Sequence, residues 1–492
     1  MAKNPKKPKT ISKDFEILLS PWEGMVTSQD AYTIPETMSV WIEGLPKLTG
    51  AIEGVLKPEV KYTHDSTILD YFVFWLSNEF HAILDGNNLT FLDTSFNSVG
   101  SFASSDSKCD YALQGNTAVW VVTRNFLITF DGTTVYNLTG RSVLGDTICY
   151  WKGRIFIGKD RTITFSVPDP DYTNATNPFD TSAGAGYIII NIGSFNRILG
   201  LIPKEDSIYI LTDNNILALL GTTISNDPTQ WYLAEVISGY GVTGIRKWVK
   251  YEHTIYYHSN IGIVSIIATA PEKIDDAITN ITGTIDGISY FVYDGIPYIA
   301  ILAESFFSPP NKAIYCYNLL FKKWFALSLS FSVISSYQNL TYGVQEKSIS
   351  KFFASGEYLP IKVKTKTFFN LDQLYYNLRT VYLYGRGNNN VSCKIYDETS
   401  RQVEFNYNQM GLISNAFLFS NSYGNFLFYN NTGHFLFAQT PGFFLNTYKQ
   451  HSINYQGQRM KQFSLLLESE DLGVYTEFIN LKVKGTLGAR YV

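Results

Sequence analysis

The sequence predicts an all-β chain that forms a β-propeller of five to seven blades followed by a C-terminal β-sandwich. Three observations support this prediction: a hairpin pattern that recurs along the chain, hardly any helical periodicity, and a high aromatic content. Tyr and Phe number 34 each among the 492 residues. Such side chains fit a pleated, half-buried surface.

The recurring pattern is a short aromatic or β-branched run, a tight polar turn and a second such run. Its six copies begin at Leu84, Phe130, Gly158, Thr212, His258 and Tyr293. Their turns contain Asp-Gly, Asn-Asn and similar pairs, which tolerate the positive φ that two-residue hairpin turns require. The turns are spaced by about the length of one propeller blade, a four-stranded sheet that cannot bury both of its faces alone. We therefore assign residues 61–350 to a propeller.

The segment before the propeller, residues 1–60, is predicted to be an N-terminal arm. Pro21, Pro35 and Pro46 interrupt it, and proline cannot continue a helix or the interior of a sheet. We expect an extended chain with one short helix near residues 36–41.

Two further segments complete the predicted organisation. The stretch from Pro168 to Gly186 is rich in turn-forming residues and is expected to project from the ring as a long loop. After the propeller, residues 351–492 alternate polar and apolar positions, for example in KVKTKTFFNL from Lys362. Period-two alternation is typical of a half-buried strand, so this segment is predicted to be a β-sandwich.

A nine-residue repeat lies inside the predicted sandwich, at residues 415–445. NAFLF, GNFLF, GHFLF and GFFL place Phe417, Phe426, Phe435 and Phe444 at equal spacing. A short strand plus a polar turn produces this spacing, so the copies are expected to align their Phe residues on one face. Two interpretations remain open: the aromatic residues fill the sandwich core, or they form an interface with neighbouring subunits.

Composition and charge limit the function. Charged residues make up 17% and the net charge is −4, whereas a protein that grips nucleic acid through phosphates usually carries a basic excess. The basic cluster of the first ten residues, Lys3, Lys6, Lys7 and Lys9, is either a solvated tail or an arm that docks on an acidic partner or on DNA backbone. No apolar stretch approaches the length of a membrane-spanning helix, so no membrane span is expected.

No motif for catalysis or metal binding is found. The six His residues form neither HxH nor HExxH, and the four Cys residues are scattered without a CxxC pair, which predicts buried, unpaired thiols. Propeller glycosidases use paired carboxylates, but the acidic candidates are adjacent to each other or lie in loops. The segment from Asp169 matches a calcium loop poorly, because Asn174 replaces the Gly of its tight turn. We expect no catalytic residue, no cofactor and no metal.

Five segments together resemble a known family. Gly239 to Ile266 reads GYGVTGIRKWVKYEHTIYYHSNIGIVSI, and YFVYDGIPYIAILAE and then AIYCYNLLFKKWFAL follow it. The lead-in SPWEGMVTSQDAYTIP and the closing segment from Ile453 to Gly485, with its Gly457-x-Arg459 step, complete the set. Taken together, these segments resemble the tail-hub, or nozzle, proteins of short-tailed bacteriophages, the DNA-stabilisation and tail-tube family.

The resemblance implies a structural virion protein and no enzyme. It implies a ring of copies, usually six, that is assembled in the host cytoplasm and lies below the portal. Such a ring retains the packaged genome and conducts DNA during ejection, without sequence-specific binding. Its partners would be copies of itself, the portal or adaptor and other tail proteins. A receptor- or carbohydrate-binding propeller is the main alternative, because aromatic residues are abundant, and a hydrolase is a weaker one.

Overall fold

A computed structural model describes most of the chain. The described residues are 12–19, 22–26, 33–35, 38–141, 143–192, 197–204, 206–221, 228–267, 270–278, 285–304, 312–369, 375–387, 391–397, 402–407, 416–421, 424–429, 435–438, 449–454, 460–469 and 475–488. The chain forms two compact units. Unit 1 comprises Met1–Lys57, Lys323–Leu327 and Phe353–Val492, and unit 2 comprises Pro58–Lys322 and Ser328–Phe352.

The strands of the first half of the chain are as follows. Unit 1 begins with β1 (Ser12–Leu19), β2 (Ser39–Glu43), β3 (Leu45–Pro46) and β4 (Ile52–Glu53). Unit 2 begins with β5 (Glu59–Thr63), β6 (Asp70–Trp75), β7 (Glu79–Leu84), β8 (Asn88–Leu92) and β9 (Ser98–Ala103). Next come β10 (Asp110–Gln114), β11 (Ala118–Val122), β12 (Leu127–Phe130), β13 (Val135–Asn137), β14 (Thr147–Trp151), β15 (Arg154–Lys159), β16 (Thr162–Phe165) and β17 (Gly186–Ile189).

The strands that follow complete unit 2, except that β29 belongs to unit 1. They are β18 (Ile198–Lys204), β19 (Ser207–Thr212), β20 (Asn215–Leu220), β21 (Tyr232–Ser238), β22 (Trp248–Tyr251), β23 (Thr254–Ser259), β24 (Gly262–Ile266) and β25 (Pro271–Lys273). They continue with β26 (Gly287–Tyr293), β27 (Ile296–Glu304), β28 (Lys312–Asn318), β29 (Lys323–Leu327), β30 (Val333–Tyr337), β31 (Leu340–Gln345) and β32 (Ser348–Lys351).

The rest of unit 1 follows. Its strands are β33 (Lys362–Thr365), β34 (Phe368–Phe369), β35 (Tyr375–Gly387), β36 (Val391–Asp397), β37 (Gln402–Tyr407), β38 (Ala416–Asn421), β39 (Gly424–Tyr429), β40 (Phe435–Ala438), β41 (Lys449–Asn454), β42 (Gln462–Ser469) and β43 (Thr476–Gly488). The helical elements described are short 3-10 turns at Thr139–Arg141, Thr181–Ala183, Pro228–Gln230 and Asp276–Ile278. Within these described ranges, no helix is long and apolar enough to cross a membrane.

Unit 2 is a β-propeller, as predicted. In its described residues, six four-stranded sheets are separate blades: β6–β9, β10–β13, β14–β17, β18–β21, β22–β25, and β30–β32 with β5. A seventh meander, β26–β28, occupies the place between the fifth and the last of these sheets, because β26 contacts both β22 and β30. The contact of β30 with β6 closes the ring. The predicted range of five to seven blades is therefore confirmed.

All six predicted hairpins are present. They are the antiparallel pairs β7–β8, β12–β13, β15–β16, β19–β20, β23–β24 and β26–β27. In the first, the Asp85 carboxylate accepts hydrogen bonds from the backbone N–H groups of Asn87 (2.8 Å) and Asn88 (2.7 Å). In the last, Asp294 and Gly295 have φ of 49° and 74°. The local turn chemistry thus fixes these hairpins.

The long loop from Pro168 to Gly186 does not project from the ring as predicted. Its Tyr172 and Phe179 pack into an apolar cluster shared by the second and third blades, which contains the fully buried Trp120 of the second blade. Thr129 of that blade donates a hydrogen bond to the Tyr172 carbonyl oxygen at 2.5 Å. The loop therefore ties the third blade to the second, because its apolar side chains find a core that its turn-rich sequence does not reveal.

Unit 1 contains the predicted β-sandwich. One sheet has the order β3-β4-β43-β35-β41, with β1 also paired to β43. The other runs β29-β2-β33-β42-β36-β37, with β34 also paired to β42. Every second residue of β42 is buried, and the ring of its Phe463 meets Tyr376 of the first sheet edge-on at 5.1 Å. The two sheets therefore face each other across a shared core.

The segment predicted as an extended N-terminal arm supplies the strands β1 to β4 to the sheets of unit 1. β1 pairs with β43, and β4 pairs with the same strand. The helix expected near residues 36–41 is wrong: the described part of that stretch runs into β2, whose Trp41 is 1% exposed. The helix prediction failed because the partner strands of β2, which are β29 and β33, lie more than 280 residues further along the chain.

The nine-residue Phe repeat forms a three-stranded antiparallel sheet, β38–β40, of which the backbone is described. Phe428 of β39 lies opposite Phe417 of β38 and Phe435 of β40. Phe426 of β39 lies opposite Phe419 of β38 and Phe437 of β40. Phe444 lies outside the described residues, as do Lys3, Lys6, Lys7 and Lys9. The choice between a core role and an interface role stays a prediction.

Candidate functional site

The candidate site is a cluster of charged side chains at one end of the propeller axis, where the first strands of the blades begin. Asp70 and Asp110 are the first residues of β6 and β10, and each bonds to the following blade. The Asp70 carboxylate accepts from the Cys109 N–H at 3.0 Å. The Asp110 carboxylate accepts from the Ile148 N–H at 3.0 Å and from the Thr147 hydroxyl at 2.7 Å. These carboxylates therefore join consecutive blades around the axis.

Arg246 crosses the ring at the same end. It belongs to the connection before the fifth blade, and its Nη1 donates to the Asp70 carboxylate at 2.8 Å and to the Tyr71 carbonyl oxygen at 3.3 Å in the first blade. Its guanidinium lies over the rings of Phe72 (5.8 Å) and Tyr111 (5.6 Å), which belong to the first two blades. One side chain thus connects the two sides of the propeller.

The backbone of Arg246 is adapted to this position. Its φ is 58°, in the left-handed region that non-glycine residues rarely adopt. Its carbonyl oxygen accepts from the Ile288 N–H of β26 at 3.4 Å. The rings of Phe72 and Tyr111 stack at 4.1 Å and form a flat apolar surface for the guanidinium. The conformation persists because contacts with three other blades hold it.

Burial controls the ionisation of this cluster. It raises the pKa of Asp110, although the Arg246 charge and the Thr147 hydroxyl act in the opposite direction. It also raises the pKa of Tyr111 to about 12, so this phenol stays neutral at physiological pH. For Arg246, burial is the largest single influence and acts to lower the pKa, but the combined attraction of Asp70, Cys109, Asp110 and Tyr111 outweighs it, so the pKa is raised overall. Arg246 is therefore a permanent cation held by Asp70.

A second charged cluster joins the second, third and fourth blades. The Asp146 carboxylate accepts two hydrogen bonds from Arg124, at 2.8 and 2.6 Å. It also accepts two from Arg197, at 3.2 and 2.8 Å. Although burial acts to raise the pKa of Asp146, the two guanidinium groups hold it below its usual value. Bidentate pairs of this kind fix the relative orientation of the elements that carry them.

We expect Asp146→Asn to lower the free energy of unfolding by about 1–2 kcal/mol at pH 7, a modest loss because both arginines are more than 40% exposed. Since the pKa of Asp146 is lowered in the folded state, its contribution is present above about pH 4 and is lost as the pH falls through the lowered pKa. Urea titrations of both proteins at pH 7 and pH 3 measure this. A difference that is absent at pH 7, or equal at both pH values, contradicts the assignment.

The hydrogen bonds and ion pairs of these two clusters connect blades and so have a structural role. Every carboxylate discussed is occupied by hydrogen bonds from neighbouring blades, and each cation is paired with an acid. Within the described ranges, no group of three or more His, Cys, Asp or Glu side chains is arranged to hold a metal ion. All four Cys residues are buried and form no disulfide, as predicted.

The axial residues were not singled out from the sequence, although a signal for them exists. The same step, an Asp at or just before the first strand of a blade, occurs as LDYFVFW, CDYALQ, GDTICYW and IDGISYF. These copies contain Asp70, Asp110, Asp146 and Asp286. No repeated sequence step marks Arg246, because its role depends on its contacts with the first two blades across the ring.

The fold defines the protein as a β-propeller with an additional β-sandwich unit. No protein-family model matches the chain, and no curated protein matches it. Among solved structures, it is similar to the extracellular domain of a protein described as a one component system from B. thetaiotaomicron. The identity is 10% and the TM-score 0.40, with coverage of 79% of this chain and 48% of that chain. The chain therefore spans about half the length of that structure.

Two further solved structures show similar values. PorZ, a bacterial surface component of the type-IX secretion system of Porphyromonas gingivalis, is 11% identical with a TM-score of 0.38 and coverage of 79% of this chain and 57% of that chain. A quinonprotein alcohol dehydrogenase-like protein from Bacteroides thetaiotaomicron is 13% identical with a TM-score of 0.36 and coverage of 57% and 68%. The fold assignment itself rests on the strand order and register described above.

Proposed function

We propose that this protein is a structural component of a short bacteriophage tail. In this role it forms a ring-shaped hub or nozzle below the portal, retains the packaged genome and conducts DNA during ejection. The ring consists of about six copies, as the resemblance to tail-hub proteins implies. No residue is assigned a catalytic role, and no cofactor is required.

The observation that carries this proposal is the position of the segments that resemble tail-hub proteins. In the lead-in, Trp22 and Met25 are buried, and the Met25 N–H donates to the carbonyl oxygen of Trp324 at 3.0 Å. Trp324, from the segment AIYCYNLLFKKWFAL, lies in the same unit. The closing segment supplies β42 and β43, which lie inside the two sheets of the sandwich. Segments far apart in sequence thus form one connected unit.

Composition and rigidity are consistent with this role. A large permanent interface favours aromatic residues and few charges, and both features are present here. A conduit should release DNA, so a mildly negative chain suits it better than a basic one. The ties made by Arg246 and Asp146 give each propeller a fixed shape, which a closed heterologous ring requires of its subunits.

The proposed partners follow from the same role. They are further copies of this chain, the portal or adaptor ring, other tail proteins, and genomic DNA that passes without sequence-specific contacts. The proposed location is the virion tail, after assembly in the host cytoplasm. The basic segment with Lys3, Lys6, Lys7 and Lys9 is a candidate contact with an acidic surface of the adaptor or with DNA backbone.

The Phe repeat provides a direct test of assembly. We expect Phe426→Asp combined with Phe435→Asp to abolish ring formation while the chain stays folded, because charged side chains would have to be buried in the subunit contact. Mass photometry measures assembly, and circular dichroism with thermal melting measures folding. The matched control is Tyr232→Asp, which changes a side chain that is 59% exposed on a propeller strand.

The three possible outcomes separate the interpretations. Loss of assembly with retained folding, in the double variant alone, supports the interface. Normal folding and assembly in the double variant contradicts it. Unfolding and aggregation of the double variant shows that the repeat fills a core instead.

A receptor- or carbohydrate-binding propeller is the second candidate. The observation in its favour is a set of exposed side chains on outer blade strands: Tyr187 (66% exposed), Ile189 (52%) and Tyr232 (59%). Exposed aromatic rings can stack on sugar faces. Glycan-array binding by a chain that remains monomeric would favour this candidate over the tail ring, and the absence of any glycan signal from assembled rings would count against it.

A further inference from the structure

The ring of unit 2 is closed by a short strand. β5 precedes the first blade in the chain, yet it completes the last blade by pairing with β32, with Thr63 opposite Ser348. Its five residues are half-buried or exposed, so backbone hydrogen bonds and few apolar contacts hold it. The junction between the last blade and the first, which we call the seam, therefore depends on the side chains around β5.

Three aromatic rings stack across the seam. Tyr62 of β5 stacks on Phe96 of the first blade at 5.5 Å, with 9° between the ring planes. Phe96 stacks on the imidazole of His81 at 4.3 Å and 16°. Phe96 adopts a φ of 61°, which a bulky residue tolerates only when its surroundings hold it. His81 is thus the inner end of the stack that anchors β5.

His81 itself is fully buried at the seam. Its Nδ1 lies 2.8 Å from the Tyr71 hydroxyl, and the ring meets Tyr342 of the last blade edge-on at 5.0 Å. A second link lies at the end of β5, where the Nε2 of His64 is 3.0 Å from the carboxylate of Asp85 in the first blade. Two of the six His residues of the chain therefore contribute to this one junction.

The charged groups that face His81 come from each element around it. On its own strand, Glu79 places Oε1 at 3.5 Å from Nε2, but this oxygen also accepts from the Tyr342 hydroxyl at 2.6 Å. Asp93 lies in the turn that carries Phe96, whose N–H donates to the Asp93 carbonyl oxygen at 2.9 Å. Lys351 of β32 lies over the Tyr342 ring at 5.9 Å. Burial lowers the pKa of His81 to about 4; Asp93 acts against this shift and Lys351 adds to it.

We propose that the seam is an acid-sensitive latch, in which protonation of His81 releases β5 while the other blades stay folded. A cation at this position would lack water and would disturb the stack that holds Tyr62. This property goes beyond the structural role proposed above and does not depend on it. It makes the closure of the seam depend on the protonation state of His81.

The direction of the pH effect follows from linkage. In the open seam His81 has an ordinary pKa near 6.5, whereas in the closed seam the pKa is about 4. The closed form is therefore fully favoured above about pH 6.5 and loses its advantage as the pH falls towards 4. Between pH 7 and pH 4.5 the opening equilibrium constant is expected to rise by about 60-fold.

Hydrogen exchange measured by mass spectrometry on the full chain tests this proposal. After correction for the intrinsic pH dependence of exchange, protection of Glu59–Thr63 should fall by about 60-fold between pH 7 and pH 4.5, while Ser207–Thr212 in the fourth blade stays protected. His81→Asn, which cannot titrate, should remove the pH response of β5. His258→Asn is the matched control, because burial also lowers the pKa of His258 to about 4, and it should keep the response.

A second variant keeps the test decisive if His81→Asn does not fold. Thr63→Cys with Ser348→Cys joins the directly paired positions of β5 and β32, so the oxidised form should keep β5 protected at pH 4.5 and the reduced form should lose that protection. The proposal is overturned if β5 of the native sequence shows no such change. It is also overturned if β5 and Ser207–Thr212 lose protection together, or if His81→Asn responds like the native chain.

Discussion

Replacing Arg246 by Met is expected to lower the free energy of unfolding of the propeller by about 3–5 kcal/mol, because the change leaves the buried Asp70 carboxylate without its cation. Asp70 is 2% exposed, and water cannot take over the role of the guanidinium. The same change removes the group that lies over Phe72 and Tyr111 and that connects the fifth blade to the first two. Urea denaturation followed by tryptophan fluorescence measures the loss.

Two comparisons isolate the ion pair. In Arg246→Met with Asp70→Asn, part of the loss should be recovered, since no unpaired charge stays buried. Lys108→Met removes an exposed cation near Asp110 in sequence and should change the stability by less than about 0.5 kcal/mol. A loss below about 1 kcal/mol for Arg246→Met would show that the axial contact does not hold the ring together.

The second large effect is expected for Gly241→Ala. A Cβ atom at this position would lie 2.2 Å from the backbone nitrogen of Asn214 and 2.3 Å from the Asp213 carbonyl oxygen. Both atoms belong to the β19–β20 turn, and backbone cannot rotate away as a side chain can. We expect a loss of about 3 kcal/mol or more, at the upper end of the range for overpacking.

Gly140→Ala is the matched control for this prediction. It adds the same methyl group in another connection between blades, where no atom lies within 4 Å of the new Cβ. Its stability should stay within about 0.5 kcal/mol of the native value. Equal melting temperatures for the Gly241 and Gly140 variants would contradict the close approach at Gly241.

The propeller could be predicted from the sequence because its signals are local. Each hairpin is specified by a few turn residues, such as Asp85 and Gly86 or Asp294 and Gly295. The positive φ of Gly86, Asp294 and Gly295 is set within the turn itself. The sequence limited the number of blades to between five and seven but did not give the exact number. The reason is that the outer strand of the last blade, β5, comes from a segment before the first blade. Nothing near residues 59–63 indicates that their partner is β32.

The position of β1 and the role of Arg246 were not predictable, because both depend on partners that lie far away in the sequence. β1 belongs to a sheet only because β43 lies beside it, with Ser12 opposite Gly488. Arg246 looks like an ordinary loop cation in GVTGIRKW, and only closure of the ring brings it to Asp70. The Asp step at the start of the blades is the one part of the candidate site that a search for repeats at blade spacing could have found.

Imaging of the purified chain by negative-stain electron microscopy tests the central claim, that this propeller is a building block of a closed ring. At micromolar concentration we predict ring-shaped particles with a central opening and a mass close to six times the 55.6 kDa of one chain. Particles that stay single propellers at every concentration, and that bind glycans in that form, would contradict the tail-ring account and favour a recognition module.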